Sequence, residues 1–182
     1  MMPLYRQGVA TVGPVAILDA RVRTAIEALG VTCEVLPCDP DFADTAAFCA
    51  KYGIPPGESA NAIVVASKKE PKRYAACLVL ATTRLDVNRK VSELLGVRKL
   101  SFASGEEIVA STGMMVGGVT LFGLPDGWPV YIDSRVAALS SVVVGGGNRS
   151  SKLRLPPAEL LRIPGAAVIE GLALDRESPG QG

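Results

Sequence analysis

The chain has 182 residues, a formal net charge of +1, and 48% apolar against 20% charged side chains. That is a globular balance, long enough to bury a core without disulfides or metals, and it excludes a strongly basic coat protein and an acidic tail protein alike. Histidine is absent, which removes Ser-His-Asp and Cys-His catalysis and every His-ligated metal site.

In chain order, Leu18, Val22, Ala25, Ile26 and Leu29 repeat at three and four residues. They predict a helix over about 15–29, stopped by Gly30. Residues 31–36 read as a strand and 37–40 as a turn. Asp44 or Thr45 can cap a short helix ending near Tyr52, with Gly53 behind it. Two apolar, β-rich runs at 60–67 and 74–81 flank KKEPKR and predict a hairpin with a charged tip. Asp86 caps a helix carrying Val87, Val91, Leu94 and Leu95, ended by Gly96. A strand at 98–103 follows, and then Ser104 with Glu107 as a capping box. A Gly-rich loop at 113–123 is expected next, with room for a short strand inside it. Strands at 128–132 and 141–144, a Gly145-Gly146-Gly147 turn, a strand at 152–155, a helix from Pro156-Pro157 to about Arg162 and a strand at 166–169 complete the order. One domain over 1–174 is expected, with a flexible tail at 175–182.

The four cysteines, Cys33, Cys38, Cys49 and Cys77, form no CxxC pair. Free thiols in the cytoplasm are the expectation, with no metal and no cofactor. The uncharged run 108–125 reaches transmembrane length, but its hydroxyls, glycines and proline read as loop, so no membrane contact is expected. The N-terminus has no compact apolar run before Asp19, which argues against a signal peptide. GxGxxG and GxxxxGK[ST] are both absent. Strands outnumber helices without regular alternation. The fold class is therefore α+β, built on a mixed, mostly antiparallel sheet or partial barrel flanked by helices.

Charge is unevenly spread. Residues 68–99 carry nine basic and three acidic side chains, while the segments on either side are mildly acidic. A solvated surface and a phosphate-binding surface both fit this cluster.

The order of motifs adds a resemblance. ANAIVVAS, the hairpin, LLG at 94–96, RKLSFAS, STGMMVGGVTLFG at 111–123, VYID at 130–133 and VVVGGGNRSSKLRLPPAEL at 142–160 resemble the YbaK-type aminoacyl-tRNA deacylases, free-standing relatives of the bacterial prolyl-tRNA synthetase editing domain. The resemblance implies a YbaK-like editing-domain fold. It also implies hydrolysis of the ester of a mischarged tRNA, in translation quality control. The implied partners are the tRNA acceptor end with its amino acid and an aminoacyl-tRNA synthetase, with no DNA. An aminoacyl ester is already activated, so placed backbone donors can suffice without histidine.

Carried over residue by residue, the resemblance puts Asn61, Gly118 and Asp133 in catalytic roles. Thr112, Gly113, Gly117, Thr120, Gly145, Gly146 and Gly147 would bind substrate. Lys68, Lys69, Lys72, Arg73, Arg89 and Lys90, with Arg98 and Lys99, would hold tRNA phosphates. Two positions depart from the family: Asn61 stands where it usually carries a functional lysine, and Leu121 replaces the proline of its GxxxP loop. These departures keep two alternatives open. One is a catalytically lapsed module that binds the acceptor end or aminoacyl-adenosine. The other is a binder of small nucleotides. Asn61 as a strand-edge residue, Asp133 as a turn cap and the glycines as plain turns are the structural alternatives.

Overall fold

A computed structural model describes residues 11–176. In chain order the elements are β1 (Thr11–Val12), α1 (Ala20–Leu29), β2 (Cys33–Pro37), α2 (Thr45–Tyr52), β3 (Ala60–Ser67), β4 (Tyr74–Leu80) and β5 (Thr83–Leu85). After these come α3 (Ser92–Leu95), β6 (Leu100–Phe102), α4 (Gly105–Thr112), β7 (Val130–Asp133), α5 (Ser134–Ala137), β8 (Val142–Gly145), β9 (Ser151–Leu155), β10 (Ala166–Ile169) and β11 (Ala173–Asp175). Local chemistry sets most boundaries. The Asp19 carboxylate accepts from the N–H groups of Arg21 and Val22, so α1 starts at Ala20, and 15–17 forms a separate 3-10 turn. Gly30, Gly53, Gly96 and Gly113 close their helices in the left-handed conformation. The Ser104–Glu107 capping box starts α4. Asp86 caps a π-turn over Val87–Val91 that runs into α3. No strand forms within the Gly-rich loop, and residues 157–162 wind as a 3-10 helix.

The strands make two sheets and a ribbon. A five-stranded sheet has the order β10-β7-β4-β3-β6, and a four-stranded sheet the order β1-β2-β9-β8. Antiparallel pairs predominate. β4–β7, β7–β10 and β1–β2 are parallel. A parallel bridge from Ser59 to Val143 joins the start of β3 to β8, so the two sheets lean together as a partial barrel. This is the expected α+β class. The uncharged run 108–125 is divided between α4 and the loop after it. Among the described residues no helix is long and apolar enough to cross a membrane.

β4 explains why its sequence is an unbroken apolar run. It lies in the middle of its sheet and is buried on both faces. Ala76, Leu78 and Leu80 face the main core with Val22, Ile26, Val35, Ile132, Val144 and Leu153. Ala75, Cys77 and Val79 face a second core with Leu85, Val91, Leu95, Leu100 and Leu172. The four cysteines are buried, and burial pushes the thiols of Cys33 and Cys77 up to about 11 and about 12.

α5, β5 and β11 are absent from the expected order. Each is short; one buried carboxylate binds α5 and β11, and β5 pairs with β11. Asp133 is 1% exposed. Its Oδ1 accepts from the backbone N–H of Arg135 at 2.9 Å and from Arg135 Nε at 3.1 Å, and its Oδ2 accepts from the Ala173 N–H at 2.9 Å. Arg135 extends the bond set to the Ala173 carbonyl and to Asp175. The expected domain end at 174 thus falls inside β11, since Asp175 is its last residue. Residues 177–182 of the expected tail lie outside the described residues.

Asp133→Asn should lower stability by about 1.5–3 kcal/mol, the usual contribution of hydrogen bonds to a charged group. Urea unfolding measures the loss, and any catalytic rate assayed well below the midpoint should be unchanged.

Candidate active site

A cleft of about 380 Å³ opens where the two sheets meet. Its walls are the first turn of α2 (Asp44, Thr45, Phe48), the segment Ser59–Val64, Phe102 and Ala103 after β6, Ile108 of α4, Val116, Gly117 and Val119 of the Gly-rich loop, Val143–Gly145 of β8, and Lys152 of β9. Apolar side chains form most of the lining. Phe102 stands at the cleft 62% exposed, although an aromatic of that size is usually covered.

Asn61 enters from β3. Its Oδ1 accepts a 2.5 Å hydrogen bond from the Thr45 hydroxyl. That bond uses the oxygen end of the amide and leaves the two N–H groups as donors. Thr45, read from sequence as a helix cap, thus orients Asn61. Asp44 is the N-cap, without a side-chain capping bond.

Two glycine loops form one wall. The Gly147 N–H donates to the Gly118 carbonyl at 2.6 Å, and the Met115 N–H to the Gly147 carbonyl at 3.1 Å. A Cβ at Gly118 would run into the backbone carbonyl of Asn148, and one at Gly145 into the carbonyls of Val119 and Gly118. The Gly118 N–H donates to the Met115 carbonyl at 2.9 Å, and Gly118 is not among the lining residues. The Gly117 N–H has no hydrogen-bond partner among the described residues, and Gly117 lines the cleft. Leu121 is 2% exposed and anchors the loop in the main core beside Phe122.

Two residues escaped the sequence reading. Arg149 donates to the carbonyls of Pro40 and Val116 and to Asp44 Oδ1, at 3.1, 3.2 and 3.2 Å, and so pins the Gly-rich loop to the start of α2. Lys152 is 6% exposed. Its Nζ donates to the Ala43 carbonyl at 2.7 Å and the Gly117 carbonyl at 3.0 Å. Burial lowers its pKa below the usual lysine value. Both residues lie in the quoted GGGNRSSK motif, but strand alternation gave no reason to turn Lys152 inward.

The structure therefore brings Asn61, Gly117 and Gly145 to one cleft and leaves other predicted residues outside its lining. Asp133 is the structural cap described above. Thr112 is buried and bonds the Ile108 carbonyl and the Met114 N–H. Gly113 ends α4 beside the Arg21 guanidinium, which donates to the Thr112 carbonyl. Gly146 backs onto Ser151, and Gly147 packs on Asp19 and Val22. The Thr120 hydroxyl is buried without a partner among the described residues.

None of the predicted basic residues lines the cleft, although Lys72 reaches Glu107, next to the lining residue Ile108. Lys68 follows the last residue of β3, seven positions beyond Asn61, or about 23 Å if the strand's usual rise continues. Lys68, Lys69, Lys72 and Arg73 are exposed, and the Lys68 N–H donates to the Lys99 carbonyl, so Arg98 and Lys99 adjoin the hairpin tip. Lys72 is ion-paired with Glu107 and holds that carboxyl down to about 2. Arg89 is paired with Asp86 at 3.1 Å, and Lys90 is half-buried.

A family model described as the aminoacyl-tRNA editing domain matches residues 39–163, well over half of the chain and every cleft segment. The chain belongs to this family. A solved structure of a candidate trans-editing enzyme for prolyl-tRNA synthetase superposes on the editing domain with a TM-score of 0.72 and 28% identity. The match covers 87% of this chain and 97% of that one. A hypothetical protein of known structure aligns with a TM-score of 0.75 and 27% identity, over 85% and 99%. Among curated relatives, YwhH of Bacillus subtilis, an uncharacterized protein, is 31% identical over 83 residues, 46% of this chain and 53% of YwhH. EbsC of Enterococcus faecalis, a candidate Cys-tRNA(Pro)/Cys-tRNA(Cys) deacylase, is 23% identical over 101 residues, 56% of this chain and 59% of EbsC. The editing domain thus spans little more than half the length of these two relatives.

Two substitutions test the wall. Gly118→Ala should force the loops apart and lower stability by about 1–3 kcal/mol, the usual range for overpacking, measured by chemical denaturation. Thr120→Val removes an unpaired buried hydroxyl at constant shape and should raise stability by about 1 kcal/mol in the same assay.

Proposed function

We propose that the chain is a trans-editing aminoacyl-tRNA deacylase that hydrolyses the ester of a mischarged tRNA in the cytoplasm and acts alongside an aminoacyl-tRNA synthetase. The observation that carries this reading is the pairing, in one cleft, of an oriented Asn61 amide with the unpartnered Gly117 N–H. Family membership and the trans-editing description of the structural relative support it.

In this reading the aminoacyl group occupies the apolar part of the cleft. The ester carbonyl meets the Asn61 Nδ2 and the Gly117 N–H. A water oxygen adds to the carbonyl carbon, and the carbonyl oxygen takes the negative charge. The bond to the ribose oxygen then breaks. The water's proton passes to that leaving oxygen by way of the adjacent ribose hydroxyl, leaving a free amino acid and an uncharged tRNA end. The lining supplies no histidine, and its one carboxylate, Asp44, is paired with Arg149. The catalytic contribution of the protein is therefore position and fixed dipoles. Exposed Phe102 offers a face on which a base of the acceptor end stacks. The hairpin tip, about 23 Å along β3 from Asn61, lies within reach of backbone phosphates further down the acceptor stem.

The test is loss of ester from a panel of mischarged tRNAs. The wild-type protein should hydrolyse at least one of them. Asn61→Ala should lower turnover on the order of 100-fold or more, the loss expected for one oxyanion donor. Replacing Lys68, Lys69, Lys72 and Arg73 together should weaken tRNA binding and flatten its salt dependence by about 0.7 log–log units for each phosphate no longer neutralised. A wild-type protein that binds mischarged tRNAs but hydrolyses none would instead favour the lapsed acceptor-end binder, which the neutral Asn61 motivates.

A further inference from the structure

Lys152 is the buried ionisable group that this reaction scheme leaves unused. Lys152 lines the cleft with its ammonium 5.5 Å from the centre of the Phe48 ring, also a lining residue, yet no carboxylate is paired with it among the described residues. Asp44 and Arg149 flank it but are paired with each other, and Cys38 and Cys49 are its other ionisable neighbours. A buried charge without a counter-charge is unfavourable, and an apolar side chain of similar length would fill the same space without that penalty. Two of its three N–H groups are taken by the carbonyls of Ala43 and Gly117. One donor and the positive charge remain.

We infer that Lys152 is a catalytic residue whose ammonium binds the anionic oxygen of the tetrahedral intermediate, alongside Asn61 and Gly117. The inference rests on the deacylase reading and adds a charge to a site otherwise built of neutral dipoles. No proton moves at Lys152. Its N–H donates to the carbonyl oxygen as water adds and the charge develops there. As the carbonyl re-forms, the charge passes to the leaving ribose oxygen, which takes the proton relayed from the water, and the acid product then ionises by releasing its remaining proton to solvent. A neutral ester gives the ammonium little, whereas the oxyanion supplies the counter-charge that the empty cleft lacks. The stabilisation is thus concentrated in the transition state. The bond to the Gly117 carbonyl ties the charge to the same loop that offers the Gly117 N–H, so the two donors hold a fixed relation. Burial, which lowers the pKa of Lys152 in the empty cleft, is offset when the anion forms.

The experiment compares wild type with Lys152→Met and Lys152→Gln. The Gln variant keeps an amide donor for the loop carbonyls without the charge. Each protein is assayed for deacylation and titrated with two non-hydrolysable probes that carry the same α-amino group and side chain, a 3′-aminoacyl-amide of adenosine with an uncharged carbonyl and a phosphonate analogue of the tetrahedral intermediate with an anionic oxygen in its place. Turnover should fall on the order of 100- to 1,000-fold with KM almost unchanged. Phosphonate affinity should fall by a similar factor while amide affinity stays at the wild-type level. Equal loss for both probes, or a loss confined to KM, would overturn the inference and leave Lys152 as a brace for the loop. Variants that keep the wild-type rate would overturn it too. An inactive wild type would sink the deacylase reading instead, and the charge assignment would then stand or fall on the two probe affinities alone. If Lys152→Met does not fold, Lys152→Gln carries the comparison.

Discussion

Where residues 115–118 meet residues 145–148, backbone touches backbone, and the cleft depends on that contact. The Gly147 N–H reaches the Gly118 carbonyl at 2.6 Å, and neither Gly118 nor Gly145 has room for a side chain. Glycine is required here by the approach of two chains as much as by φ. With the loops joined, the end of β8 lies against the Gly-rich loop. The bridge from Val143 to Ser59 carries the same wall on to β3. Asn61 and Lys152 then reach one cleft from two different sheets. Loosening the glycine contact would separate the donors from one another before it disturbed either core.

The site draws on polar groups that the folding cores do not use. Thr45 orients Asn61, Arg149 fastens the Gly-rich loop to α2, and Leu121 roots that loop in the main core. The reacting groups are therefore held from behind by partners that never meet the substrate. Such support keeps a donor aimed when the cleft is empty, so little reorganisation is needed as charge develops.

Local signals in the sequence carried much of the fold. The apolar runs of β3 and β4, the glycine stops at Gly30, Gly53 and Gly96 and the Ser104–Glu107 box are all short-range features, and each appears where its residues predict. β5 and β11 were illegible because each is three residues long and they pair with one another across the chain, with the Ala173 N–H held by Asp133 forty residues away, while α5 is a single turn capped locally by Asp133. The same division runs through the site. Asn61, Gly117 and Gly145 could be named from the motif resemblance and do share the cleft, whereas Asp133 and Thr112, named the same way, are held in structural hydrogen bonds. Lys152 could not be named, because in the alternation of β9 its position reads as outward, and only the tertiary packing of α2 and the loop turns it into an interior group.

The hydrogen bond from Lys152 to Ala43 spans 109 residues, and the bond from Arg149 to Asp44 spans 105. Contacts of that separation form late, since the entropy of closing so large a loop must be overcome before they contribute. The cleft therefore has no precursor in any local fragment. A nascent or partly unfolded chain presents hairpin and helices without the cleft, and the arrangement of its donors exists only in molecules that have completed folding. In the proposed deacylase reading, an incompletely folded copy offers no formed pocket in which a correctly charged tRNA could be hydrolysed.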